Sequence, residues 1–264
     1  MLHLLLAFAL LAGCEACVLE TLIFFPDPHV PATPPDVTER WIEASEGVRL
    51  HAWYAGPPDP PATLVWSHGN AGNIAGRIDV LRALAARGLG VLAYDYRGYG
   101  RSAGRPTEVG VVRDAEAAFD TLTHAGVSPR RIVCFGESLG GAVSIELATR
   151  RPCAGVAVVS TFTSLRDVAL VHYGRLAFLA GNRFDSLARI AQLRVPFYAA
   201  HGDRDDIVPL VLGERLAAAA PEPKRFRVLP GRGHNDILGD PALLDDIAVF
   251  ARAVADDAPQ ANMR

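Results

Sequence analysis

An alternation along the chain restricts its fold more than any other feature. Short apolar runs recur at Thr63–Ser67, Leu89–Tyr94, Ile132–Phe135, Val156–Ser160, Val195–Ala200 and Phe226–Leu229. Between and after them lie stretches with helical spacing, at Ile78–Arg87, Val109–His124, Leu139–Arg150, Pro209–Ala219 and Pro241–Ala255. The first places Val80, Leu81, Leu84 and Ala85 on one face; the second does the same with Val112, Ala115, Phe119 and Leu122. Runs this short and apolar suit strands covered on both faces. Strands alternating with helices build βαβ units and hence a mainly parallel central sheet with helices on both faces. Ahead of them, Trp41–Ala44 and Val48–Tyr54 flank Glu46-Gly47 and read as a hairpin, so the sheet gains an antiparallel N-terminal edge. At 264 residues, half of them hydrophobic, the chain suits one large α/β domain.

The ends of the chain differ in character. Residues 1–25 read as a hydrophobic signal or anchor segment. The uncharged run LHLLLAFALLAG leads into Cys14, and Leu11-Ala12-Gly13-Cys14 has the form of a bacterial lipobox. The basic n-region of a signal peptide is missing, and Glu15 and Glu20 make a full membrane crossing costly. Lipidation at Cys14 ranks first, a retained anchor second and a core-packed helix third. Residues 26–36, which include PDPHVPATPP, form a Pro-rich linker that excludes a helix or a central strand. The domain then runs over 37–255, with a short cap region expected at about 161–190 that includes the apolar stretch VALVHYGRLAFL, and a polar tail follows at 256–264. Cys14-x-x-Cys17 lacks a second ligand pair, so zinc or redox chemistry is not expected, and Cys134 and Cys153 read as inert buried thiols. A net charge of −3 provides no basic field for nucleic acid.

The run Ile132–Phe135 passes directly into Gly136-Glu137-Ser138-Leu139-Gly140 and then into a helix. A serine on a sharp strand-to-helix turn presents its hydroxyl at the sheet edge, above a helix N-terminus that favours negative charge. Glycine is needed on either side because side chains there would collide with the turn. A serine hydroxyl needs a base. His234 lies in the loop just past Phe226–Leu229, whereas His3, His29, His51, His124 and His172 occupy early, linker or helical positions. An orienting acid is expected past Val195–Ala200, where Asp203, Asp205 and Asp206 compete, and spacing alone does not choose among them.

Four motifs together resemble the Bem46-like group of the α/β-hydrolase superfamily. They are Ser67-His68-Gly69-Asn70-Ala71-Gly72-Asn73, Tyr94 to Ser102 (YDYRGYGRS), the Gly136–Gly140 turn, and His201-Gly202-x-x-Asp205 with Gly233-His234-Asn235-Asp236. Phe24-Phe25-Pro26 and Phe162-Thr163-Ser164-Leu165 also match, with Thr161 standing where the family pattern carries proline, a departure that bears on the lid. The resemblance spans roughly Phe24 to Phe250. It implies the α/β-hydrolase fold and assigns the acid to Asp205, with Asp206 as runner-up and Asp203 as a loop cap. His68 and His201 become structural. Arg97, Tyr99 and Arg101 carry no site assignment.

The expected activity is a serine hydrolase that cleaves carboxylic esters or thioesters, including acyl-chain substrates, through an acyl-enzyme. Ser138 is the nucleophile, His234 the base and Asp205 the orienting acid, with oxyanion donors at the N–H of Leu139 and of Asn70, Ala71 being the next candidate. Serine at position 138 argues against the acidic nucleophile of dehalogenases and epoxide hydrolases. No cofactor or metal is required. A serine peptidase of the aminopeptidase type and a non-catalytic, membrane-tethered binding module are the alternatives. Association with a membrane is expected through the N-terminal segment, and oligomeric state is not readable from the sequence.

Overall fold

The computed structural model describes residues 20–175, 177 and 181–256. The lipobox and Cys14-x-x-Cys17 lie outside the described residues, as do most of the polar tail and part of the cap stretch. Among the described residues no helix is long and apolar enough to cross a membrane.

Among the described residues ten strands are present: β1 Phe25–Pro26, β2 Thr38–Glu43, β3 Arg49–Ala55, β4 Thr63–Ser67, β5 Ala71–Gly72, β6 Gly90–Tyr94, β7 Ile132–Glu137, β8 Gly155–Val159, β9 Phe197–Gly202 and β10 Lys224–Leu229. The α-helices that lie wholly within the described residues are α1 Ile78–Ala85, α2 Glu108–His124, α3 Leu139–Arg150, α4 Leu165–Tyr173, α5 Ser186–Ile190, α6 Leu210–Ala219 and α7 Pro241–Asp256. Eight strands form one sheet in the order β10-β9-β8-β7-β4-β6-β3-β2. Pairing is parallel from β10 to β6 and antiparallel for β6 with β3 and β3 with β2. This is the architecture expected from the alternation and the N-terminal hairpin.

The burial pattern explains why the strands were legible. Every residue of β4, β6 and β8 is buried, because helices cover both sheet faces. Side chains alternate between two cores, as a strand's period of two requires. Val65 and Cys134 join the core under α2, α3 and α6, while Leu64, Trp66, Val133 and Phe135 join the core under α1 and α7. Cys134 and Cys153 are buried, unbridged thiols of the first core. Helix starts are capped by polar side chains: Thr107 Oγ1 accepts the Gly110 N–H at the start of α2, and Ser164 Oγ accepts the Asp167 N–H at the start of α4.

The Pro-rich segment lies against the domain. β1 pairs in parallel with β5, Asn73 Nδ2 donates to the carbonyls of Asp27 and His29, and Arg101 donates to those of Val30 and Pro31. Arg97 and Arg101 are loop ties. Arg97 is bound to Asp114 and Glu46, and Arg101 to Glu39.

Strand order has one consequence for function. The chain runs outward from β4 to β6, then crosses back to β7 on the other side of β4. In open parallel sheets a crevice forms at such a reversal, outside the carboxyl ends of the strands. The loop after β4, which starts at His68, and the turn after β7, which carries Ser138, therefore meet there.

Candidate functional site

Ser138 stands between β7 and α3 with φ 51° and ψ −120°. A non-glycine residue in this region is strained and persists only where its surroundings enforce it. The surroundings here are specific. A side chain at Gly136 would strike the Gly140 carbonyl, and one at Gly140 would strike the Ser67 and His68 carbonyls. The Ser138 N–H donates to the Val159 carbonyl at 2.9 Å, which ties the turn to β8. The Ser138 carbonyl accepts the Gly141 N–H at 3.0 Å and the Thr161 hydroxyl at 2.9 Å. Thr161 was expected to matter for the lid. Its place is beneath the serine turn, because β8 ends directly beside that turn, and this corrects the expectation.

Asp205 follows β9 and His234 follows β10, so parallel pairing brings both to the same sheet edge as Ser138. His234 Nδ1 lies 2.8 Å from Asp205 Oδ2. The other carboxylate oxygen, Oδ1, accepts the N–H groups of Ile207 at 3.0 Å and Val208 at 2.7 Å. His201 Nε2 is 3.3 Å from Oδ2 and bonds the Val208 carbonyl at 2.8 Å. Burial alone would push the Asp205 carboxyl up, but the bonds from His201, His234 and Val208 outweigh it and hold the group well below the ordinary carboxylate range. Its neighbours in sequence behave differently. Asp203 Oδ1 accepts the Gly231 N–H at 2.6 Å, which caps the histidine loop, and Asp206 is exposed.

Ser138 and His234 line one cleft of about 770 Å³, together with Asn70, Ala71, Glu137, Ser160 and Ile207 among others. Leu139 is the first residue of α3, so its N–H is one of those a helix leaves without an intrahelical partner. The Asn70 carbonyl is turned toward Tyr99 Oη at 2.7 Å and the Phe25 N–H at 2.9 Å. His172 on α4 bonds the carbonyl of the cleft-lining Ile207 at 2.7 Å, which links the cap region to the acid loop. Among the described residues no group of three His, Cys, Asp or Glu side chains is placed to hold a metal ion.

Sequence reasoning missed two contributors. Arg77 bonds Glu137, the residue before the nucleophile, through its Nε. Ser160 has φ 50°, lines the cleft and is 2 % exposed, and its hydroxyl has no hydrogen-bond partner among the described residues. Thr161 was named, but for the lid and not for the serine turn. Positions 77 and 137 lie far apart in the chain, and no motif spacing joins them.

The hydrolase family model described as serine aminopeptidase, S33, matches residues 58–187. An uncharacterized protein of Mycobacterium tuberculosis is 43 % identical over 246 residues, which cover 89 % of this chain and 87 % of the relative. The alpha/beta hydrolase domain-containing protein WAV2 of Arabidopsis thaliana is 34 % identical over 220 residues, 74 % of this chain and 71 % of the relative. Among solved structures, the Pyrococcus furiosus esterase PF2001 superposes with a TM-score of 0.72 at 18 % identity, covering 88 % of this chain and 98 % of the esterase. With the sheet order, the turn at Ser138 and these relatives in hand, the chain belongs to the α/β-hydrolase superfamily.

Proposed function

We propose that the protein is a serine hydrolase that cleaves carboxylic ester or thioester bonds through an acyl-enzyme, and that within its superfamily it falls in the Bem46-like group. One observation carries this reading. A serine in a strained turn and a histidine held 2.8 Å from a low-pKa carboxylate face the same cleft. Ser138 Oγ attacks the acyl carbonyl as His234 takes its proton. Asp205 accepts the Nδ1–H of His234, fixes the tautomer and stabilises the imidazolium. The tetrahedral oxyanion is met by the N–H groups of Leu139 and Asn70. Collapse expels the alcohol or thiol, which is protonated by His234, and a water activated by the same histidine releases the acid. The N-terminal segment, through Cys14 or as an anchor, holds this domain at a membrane.

The description of the matching family model favours one rival reading, an aminopeptidase. Such an enzyme needs a carboxylate for the free amino terminus of its substrate. Of the three carboxylates that line the cleft, Glu137 is occupied by Arg77 and Asp236 by the Gly233 N–H and by Arg232 at 3.6 Å, whereas Asp79 is exposed, with Arg82 at 4.0 Å. Asp79 is therefore the carboxylate on which the peptidase reading would rest. A panel of p-nitrophenyl esters, acyl thioesters and aminoacyl anilides, run with the wild type and Ser138→Ala, tests it. Ester or thioester turnover that requires Ser138, with a preference among acyl chain lengths, is expected. Faster anilide than ester turnover would transfer the reading to the peptidase, and a folded protein inactive on all three classes would favour a binding module.

A further inference from the structure

Four features converge on the Arg77–Glu137 pair. Glu137 directly precedes the nucleophile, and its carboxylate is largely withdrawn from water, with side-chain exposure of 17 %. That carboxylate accepts the Gly69 N–H at 3.1 Å and a bond from Arg77 Nε. Arg77 also donates from Nη1 to the Asn73 carbonyl at 2.9 Å and from Nη2 to the Ala71 carbonyl at 3.1 Å. Gly69 and Gly72 lie under the guanidinium, where an added Cβ would come within 3.4 Å of it. One planar fork thus spans the loop that carries Asn70 and joins it to the turn that carries Ser138. The opposite side of the loop is held separately, by Tyr99 and Phe25 at the Asn70 carbonyl.

We propose that Arg77 and Glu137 are a positioning pair, which sets the oxyanion-binding loop against the serine turn and neutralises the carboxylate beside the developing oxyanion. This rests on the hydrolase reading above. Glu137 supplies the bond that fixes Gly69, but its charge alone would oppose negative charge on the neighbouring substrate oxygen. Arg77 removes that penalty while bracing Ala71 and Asn73. Lysine is not an equivalent, because its compact ammonium cannot reach the separated Glu137, Asn73 and Ala71 acceptors that the three guanidinium nitrogens span.

The two roles make a signed prediction. Arg77→Met leaves a buried, uncompensated carboxylate next to the oxyanion, and kcat falls by about 10²-fold, the scale of a lost oxyanion donor. Removing both charges in Arg77→Met/Glu137→Met relieves the repulsion but not the lost bracing, so the double variant recovers part of the loss and is faster than Arg77→Met alone, though slower than the wild type. Glu137→Gln, which is nearly isosteric and guards against misfolding of the Met variants, gives a smaller loss, and Arg77→Lys does not rescue. Inhibition by an alkyl boronic acid, whose serine adduct is a tetrahedral anion, weakens in step with kcat, while KM for the ester barely moves. The experiment measures kcat, KM and boronic-acid Ki for these variants, with melting curves for each. A double variant no faster than Arg77→Met, or boronic-acid Ki values that do not follow kcat, overturns the pair's role while leaving an active wild type intact. A wild type that neither turns over esters nor binds the boronic acid overturns the hydrolase reading itself, and the pair's role with it.

Discussion

Two of the carboxylate–histidine groups among the described residues lie at the strand ends, and their difference shows what makes such a group reactive. In the first, Asp205 faces His234 at 2.8 Å and takes two backbone N–H groups on its other oxygen. His234 keeps an edge on the cleft that Ser138 also lines. In the second, Asp95 lies between His68 at 3.5 Å and His51 at 3.6 Å, and all three side chains are sealed from water. His51 continues to Glu39 at 3.0 Å, and Asp95 accepts the Ile74 N–H at 2.8 Å. Burial pushes the Asp95 carboxyl up, yet its histidines and the Ile74 N–H outweigh that and leave it below the ordinary value. Both carboxylates are therefore ionised beside histidines. The Asp95 group holds the strand ends together, whereas the Asp205 group orients a base toward an open cleft.

Substitutions can break or sharpen this contrast. The largest effects are expected at Ser138→Ala and His234→Ala, each lowering kcat by about 10⁶-fold and the pair together hardly more, since members of such a unit are non-additive. Single-turnover ester hydrolysis measures this. Asp205→Asn should cost about 10⁴-fold in kcat by releasing the wrong tautomer. Asp95→Ala inverts the pattern. It leaves the Ile74 N–H without its acceptor and the buried His51 and His68 without the carboxylate they face, so urea unfolding should show a loss of about 3 kcal/mol, with kcat of the folded protein retained within about tenfold. A variant at Asp95 that kills turnover without loss of stability would erase the distinction.

Asp205 carries a pH signature as well. Its folded-state pKa lies below the unfolded value, so its stabilisation is fully present above the ordinary carboxylate range and is lost as pH falls through and below it. The stability gap between wild type and Asp205→Asn should accordingly be wider at pH 6 than at pH 3, as chemical denaturation at the two values would show. A gap that widens toward acid contradicts the arrangement. The smallest effect is expected at Thr161→Val, which removes the hydroxyl bonded to the Ser138 carbonyl and should cost roughly 1 kcal/mol in unfolding free energy.

Much of this was readable in the chain because of burial. β4, β6 and β8 are sealed on both faces, so their residues form unbroken apolar runs. β10 lies at the sheet edge with Lys224 and Arg225 at its start, and the apolar signal therefore begins only at Phe226. The pairing of Phe25–Pro26 with Ala71–Gly72 left no signal, since two-residue strands have no period. At the site, local chemistry spoke for Ser138 and His234, whereas the acid among Asp203, Asp205 and Asp206 was settled by family resemblance. Arg77 and Glu137 meet only through the fold, 60 positions apart, and Thr161 reaches Ser138 because β8 neighbours β7.

The central claim, an activated serine at position 138, is tested most directly by labelling the folded protein with a fluorophosphonate and locating the adduct by peptide mass spectrometry. The account predicts a stoichiometric adduct on Ser138 that is absent in Ser138→Ala and formed far more slowly in His234→Ala. A folded wild type that takes no label, or an adduct that survives Ser138→Ala, would contradict it.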